Sequence, residues 1–96
     1  MAEDLLRKRL HFTGAVQGVG FRWRARHAAQ AAGATGWVRN EADGSVTMEL
    51  QGSEAQIDLV LQTLEQGRYI RIETLRAQRV PPKPEERRFV TRDDAY

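Results

Sequence analysis

Cysteine is absent from this 96-residue chain. Its absence excludes disulfide staples, thiol catalysis, thiolate zinc sites and redox switching. Long apolar runs are missing as well. Met1 to Leu10 carries Glu3, Asp4, Arg7, Lys8 and Arg9, so neither a signal peptide nor a membrane span is expected and a cytoplasmic location is the default. Histidine is scarce: His11 and His27 have no ligand partner at metal-binding spacing and are expected to be solvated. Charge of one sign does not dominate either. Fifteen basic and thirteen acidic residues leave a net +2, with a pI near 9.5. The arginines are scattered among acidic neighbours, so they read as solvated surface and not as a phosphate-tracking stripe for nucleic acid.

What is present fits one small domain spanning residues 1–96, with an ordinary 41% hydrophobic content. From Lys8 to Thr13, Lys8, Leu10 and Phe12 alternate with Arg9, His11 and Thr13, which predicts a half-buried strand. Phe21, Ala25, Ala28 and Ala32 then recur at helical spacing, and Gly33 supplies a stop. Trp37 to Glu41 and Ser45 to Gln51 read as strands joined by Ala42-Asp43-Gly44, whose Asp-Gly pair signals a hairpin. In the second of these, Val46, Met48 and Leu50 oppose Thr47, Glu49 and Gln51, predicting one covered face and one wet face.

Ser53 and Gln56 have the form of a capping box, and Ile57, Val60, Leu61 and Leu64 give the apolar stripe of a second helix that Gly67 closes. Tyr69 to Val80 is β-prone, but Ile70 and Ile72 are out of phase with Leu75 and Ala77, which predicts a bulge or a docking segment. Pro81-Pro82-Lys83-Pro84 breaks the strand, Arg87 to Arg92 returns as a short last strand around Phe89, and Asp93 to Tyr96 is expected to fray. The order predicts an α+β fold of the ferredoxin-like, double split β-α-β kind: one antiparallel, mixed-order sheet with two helices on one face.

The most informative segment is Gly14-Ala15-Val16-Gln17-Gly18-Val19-Gly20-Phe21-Arg22. Three glycines in seven residues permit positive φ and close approach of backbone N–H groups to a ligand. A helix start and a guanidinium would then face one phosphate-sized space. A strand-helix-strand unit makes its strands parallel and brings their carboxyl ends to one edge, so Asn40 is expected near this loop. With one strand between them the gap would be about 10 Å, two interstrand spacings.

Two motifs carry a family resemblance. The nonapeptide above resembles G-x-V-Q-G-V-x-F-R, the first signature of the acylphosphatases, small hydrolases of carboxyl-phosphate bonds. Gly36-Trp37-Val38-Arg39-Asn40 followed by Asp43-Gly44-Ser45-Val46 resembles the second. The resemblance implies an acyl phosphate substrate, with inorganic phosphate and a carboxylate as products. It implies that Arg22 binds the phosphoryl group together with the backbone of Ala15, Val16, Gln17, Gly18, Val19, Gly20 and Phe21, and that Asn40 orients the attacking water. No cofactor or metal, no nucleic acid, no membrane and a monomeric state go with it. Such chemistry needs charge stabilisation and water placement more than a strong base, because the leaving group is good. Arginine stays charged and presents a planar fork, while asparagine donates and accepts at once.

Each residue also has a plainer reading. Arg22 alone would be surface, Asn40 and the Glu41/Asp43 pair would be turn chemistry, and Trp37 and Phe12 would be core or rim. Ser45 and Ser53 lack a histidine-acid context. The competing functions are a non-catalytic anion-binding module and an RNA-binding domain of the same fold. The latter needs exposed rings on the open sheet face, and Val46 to Gln51 contains none.

Overall fold

Residues 4–92 are described by the computed structural model, and the expected element order holds across them. It runs β1 (Leu6–Ala15), α1 (Phe21–Ala32), β2 (Thr35–Asn40), β3 (Val46–Gly52), α2 (Glu54–Glu65), β4 (Arg71–Val80) and β5 (Phe89–Thr91). Asp93 to Tyr96, expected to fray, lie outside the described residues. The five strands form one sheet in the order β4-β1-β3-β2-β5. Antiparallel pairing joins β1 to β3 and β4, and β2 to β3, whereas β5 lies parallel to β2, which makes the sheet mixed.

The two helices share one face of this sheet. Phe21, Ala25, Ala28 and Ala29 of α1 and Ile57, Val60 and Leu64 of α2 join Leu10, Phe12, Val38, Met48 and Leu50 in one buried core. Alanines let α1 lie close to its neighbours, and the rings of Phe12 and Phe21 meet edge-on at 4.9 Å, which seats the start of α1 over β1. The Ser53–Gln56 capping box is present in full, and the Gln56 amide also donates to the Ala32 carbonyl at 2.9 Å, tying the two helices together. In β4 the predicted phase slip is a bulge. Thr13 pairs with Thr74 but Gly14 pairs with Ile72, so Glu73 is the extra residue, and Ile72 and Leu75 reach the same face despite their odd spacing.

The helix-free face corrects the sequence expectation. Thr47, Glu49 and Gln51 do oppose the core residues of β3, but they are not wet: they are 7%, 8% and 3% exposed. As the central strand, β3 lies under long side chains of both neighbours and under segment 81–88. Arg7, fully buried, donates to Glu49 at 2.6 Å, to Gln51 at 3.1 Å and through two nitrogens to Glu86. Gln51 exchanges hydrogen bonds with the Lys83 backbone at 2.8 and 2.7 Å. Trp37, expected in core or rim, is buried on this face beneath the guanidinium groups of Arg9, Arg39 and Arg92. The open face therefore presents no Trp37 ring for base stacking. His11, expected to be solvated, is half-buried here, and its Nε2 has no hydrogen-bond partner among the described residues.

Two outcomes follow from the Arg7 cluster. Arg7→Ala leaves carboxylates behind without their cation and is expected to lower the unfolding free energy by about 3–5 kcal/mol in a denaturant titration. A loss below about 1 kcal/mol would show that the cluster does not pin segment 81–88. Burial raises the Glu86 carboxyl, but the Arg7 hydrogen bonds and charge outweigh it and hold the group below its ordinary value of 4.5. A depressed carboxyl stabilises the fold above its ordinary range, and the contribution disappears as pH falls through the lowered value. The stability difference between wild type and Glu86→Gln should therefore be largest near neutrality and shrink below about pH 4.

Candidate active site

The loop of residues 16–20 leaves β1 and enters α1, and its two glycines decide its shape. Gly18 and Gly20 have φ of 70° and 78°, with open space around each, so left-handed backbone and not crowding is what calls for glycine there. Gly14, the first glycine of the motif, has a different task. A Cβ at this position would collide with the Arg71 carbonyl oxygen, so it serves the close approach of β1 and β4 at the bulge. Ala15 is likewise a β1 residue paired with Arg71. Val16 is fully buried and Val19 packs against the core, so side chains of the loop anchor it to the core.

α1 begins without a side-chain cap: Gly20 is the N-cap residue and the first turn holds no acidic residue. The first N–H groups of a helix lack intrahelical partners, and α1 adds the cation Arg22 at this positive end. α2 in the same chain shows the usual solution, with Ser53, Gln56 and Glu54 all at its N-terminus.

Asn40 reaches this place through strand register. It lies opposite Val46 as Val38 lies opposite Met48, and directly paired residues share a sheet face, so Asn40 belongs to the helix-bearing side. It is 7% exposed, and its Oδ1 is buried with no hydrogen-bond donor among the described residues. A cavity of about 210 Å³ is lined by Val16, Gln17, Gly18, Gly20, Phe21, Arg22, Trp23 and Asn40. Of the residues singled out from sequence, Ala15 and Val19 are not in this lining. No carboxylate or imidazole contributes to it among the described residues.

The bracing role of Gln17 and the presence of Trp23 escape a reading of the sequence alone. The Gln17 side chain is a brace, its amide nitrogen donating to the carbonyls of Glu41 at 2.7 Å and Ser45 at 2.8 Å. It joins the loop to the β2–β3 hairpin, and since both acceptors are backbone atoms, no residue pattern marks them. Trp23 lines the cavity and stacks on His27 at 3.9 Å. Its position beside Arg22, with His27 one helical turn on, was the available signal. His27 itself is exposed, and Nδ1 lies 2.8 Å from the Trp23 carbonyl.

The acidic residues of the hairpin are occupied in shaping it. Glu41 pairs with Arg39 at 3.0 Å. Asp43 accepts from the Ser45 hydroxyl and N–H, which hold its carboxyl below the usual range. The turn closes through Gly44 N–H to the Glu41 carbonyl at 3.2 Å.

Comparison with known proteins bears on this geometry. A family model described as Acylphosphatase matches residues 8–91. An acylphosphatase of Geobacillus thermodenitrificans (strain NG80-2) is 40% identical over 85 residues, covering 85% of this chain and 90% of that protein. One from Geobacillus kaustophilus (strain HTA426) is 50% identical over 62 residues, covering 62% of this chain and 66% of the other. The crystal structure of an acylphosphatase from Bacillus subtilis superposes with a TM-score of 0.82 at 26% identity, covering 90% of this chain and 97% of that one. The matched residues take in the glycine loop, the open start of α1 and Asn40, and the chain belongs to the acylphosphatase family.

Proposed function

We propose that the cavity hydrolyses acyl phosphates, with Arg22 and the loop backbone holding the phosphoryl group and Asn40 holding the water. The observation that carries this reading is the pairing of an arginine-bearing helix start that lacks a side-chain cap with a buried asparagine oxygen that has no hydrogen-bond partner among the described residues, both on the same cavity. The first is a site for a dianion and the second an acceptor for a water proton. The guanidinium spans phosphoryl oxygens as charge redistributes, and N–H groups from Val16 to Phe21 add donors.

Water attacks phosphorus as the bridging P–O bond breaks, and the electron pair leaves on the carboxylate. Among the described residues the lining supplies no side-chain base, which favours passage of the water proton to a phosphoryl oxygen of the substrate, and the products are carboxylate and inorganic phosphate. We read the chain as acting alone, as one cytoplasmic, monomeric domain over residues 1–96, with no metal, nucleic acid or membrane in the reaction.

Hydrolysis of acetyl phosphate and benzoyl phosphate tests this reading. Turnover should be insensitive to chelator and competitively inhibited by inorganic phosphate. Arg22→Ala should lower kcat/KM by about a thousand-fold or more, and Asn40→Ala should lower kcat by about a hundred-fold. Full activity in folded Arg22→Ala would sink the mechanism. Gln17→Leu keeps the volume but removes the brace, and a loss of about ten-fold in kcat is expected from misplacement of loop against water. A kcat profile that follows the titration of a protein side chain would overturn the transfer of the water proton to the substrate phosphate.

A further inference from the structure

Trp23 is 64% exposed, and among the described large apolar side chains left in solvent it is the one that lines the candidate active-site cavity. A helical Cα–Cβ bond leans toward the helix N-terminus, so the Trp23 ring is carried toward the open start of α1 where the phosphoryl group sits. The ring is also braced. His27, four residues on, lies against it with ring centroids 3.9 Å apart and an interplanar angle of 26°, and its Nδ1 is 2.8 Å from the Trp23 carbonyl. A stacked, hydrogen-bonded pair loses little rotamer freedom when a ligand settles beside it.

From this we infer that Trp23, backed by His27, is the specificity-determining platform for the acyl half of the substrate, and that it favours flat, aromatic acyl groups. The inference rests on the acyl phosphate reading of the cavity. The other groups of the lining are a guanidinium, amides and loop backbone with the inward-turned Val16 and Phe21. They address the phosphoryl end and the water, and among the described residues they offer the acyl end no exposed apolar surface. An acyl group leaving the cavity past α1 therefore meets one large ring. Offset stacking on such a ring is worth about 0.5–1.5 kcal/mol beyond area burial, a factor of about two to twelve in affinity.

The test uses phenacylphosphonate and acetonylphosphonate, methylene analogues of benzoyl and acetyl phosphate that cannot turn over, alongside hydrolysis of the two parent compounds. In wild type, phenacylphosphonate should bind more tightly than acetonylphosphonate. In Trp23→Ala this preference should fall by roughly three- to ten-fold, with the Ki for inorganic phosphate unchanged because the cradle is intact. Trp23→Phe should keep most of the preference and His27→Ala should lose part of it. The same split should appear in KM for benzoyl against acetyl phosphate. Equal loss on both analogues, or no change in their ratio, overturns the platform. Wild type that hydrolyses neither parent compound would sink the functional reading instead, while the two phosphonate affinities still decide the role of Trp23.

Discussion

Everything at the site depends on β3 running between β1 and β2. A crossover through α1 makes β1 and β2 parallel, and the intervening antiparallel strand holds their carboxyl ends two spacings apart along one edge. The glycine loop leaves one of these ends and Asn40 closes the other. Register then selects the side: with Val38 and Val46 committed to the core, Asn40 must share their face and look toward the start of α1. Gln17 spans the remaining gap with two hydrogen bonds to the hairpin, which ties the glycine loop to the strand end that carries Asn40. Enzymes that work by placement need this stiffness, because misalignment of about 1 Å can cost a hundred-fold in rate.

The two faces of the sheet solve different problems. On one, apolar side chains under α1 and α2 form the core. On the other, charge is buried by being paired: Arg7 is surrounded by Glu49, Gln51 and Glu86, and Trp37 lies under three guanidinium groups. A buried ion pair is weak evidence for net stability, since desolvation offsets much of the attraction, but losing one partner is costly. The cluster accordingly specifies where segment 81–88 lies, and Arg7, expected from the sequence to be solvated surface like the other arginines, is buried in it.

The contrast between the helix starts is the clearest sign of function in the backbone. α2 is capped by side chains, whereas α1 is left open and given a cation. Local preference alone would cap both. Backbone N–H groups at such a helix start are suited to an anion, which is what the acyl phosphate reading asks of them.

The element order, the Ser53–Gln56 cap, the bulge in β4 and the pairing of loop with Asn40 were legible in the sequence, because each depends on period, on turn chemistry or on the handedness of a crossover. The amino-acid order by itself determined which residues could form a phosphate cradle and which strand end would carry the amide. Tertiary structure decided the rest. It drew Gly14 and Ala15 into sheet pairing, buried Thr47, Glu49 and Gln51 under a returning segment, turned Gln17 into a brace and set Trp23 at the rim. Those outcomes turn on contacts between residues as many as 79 positions apart, and such distances leave no trace in local periodicity because nothing in a single window records what will be packed against it.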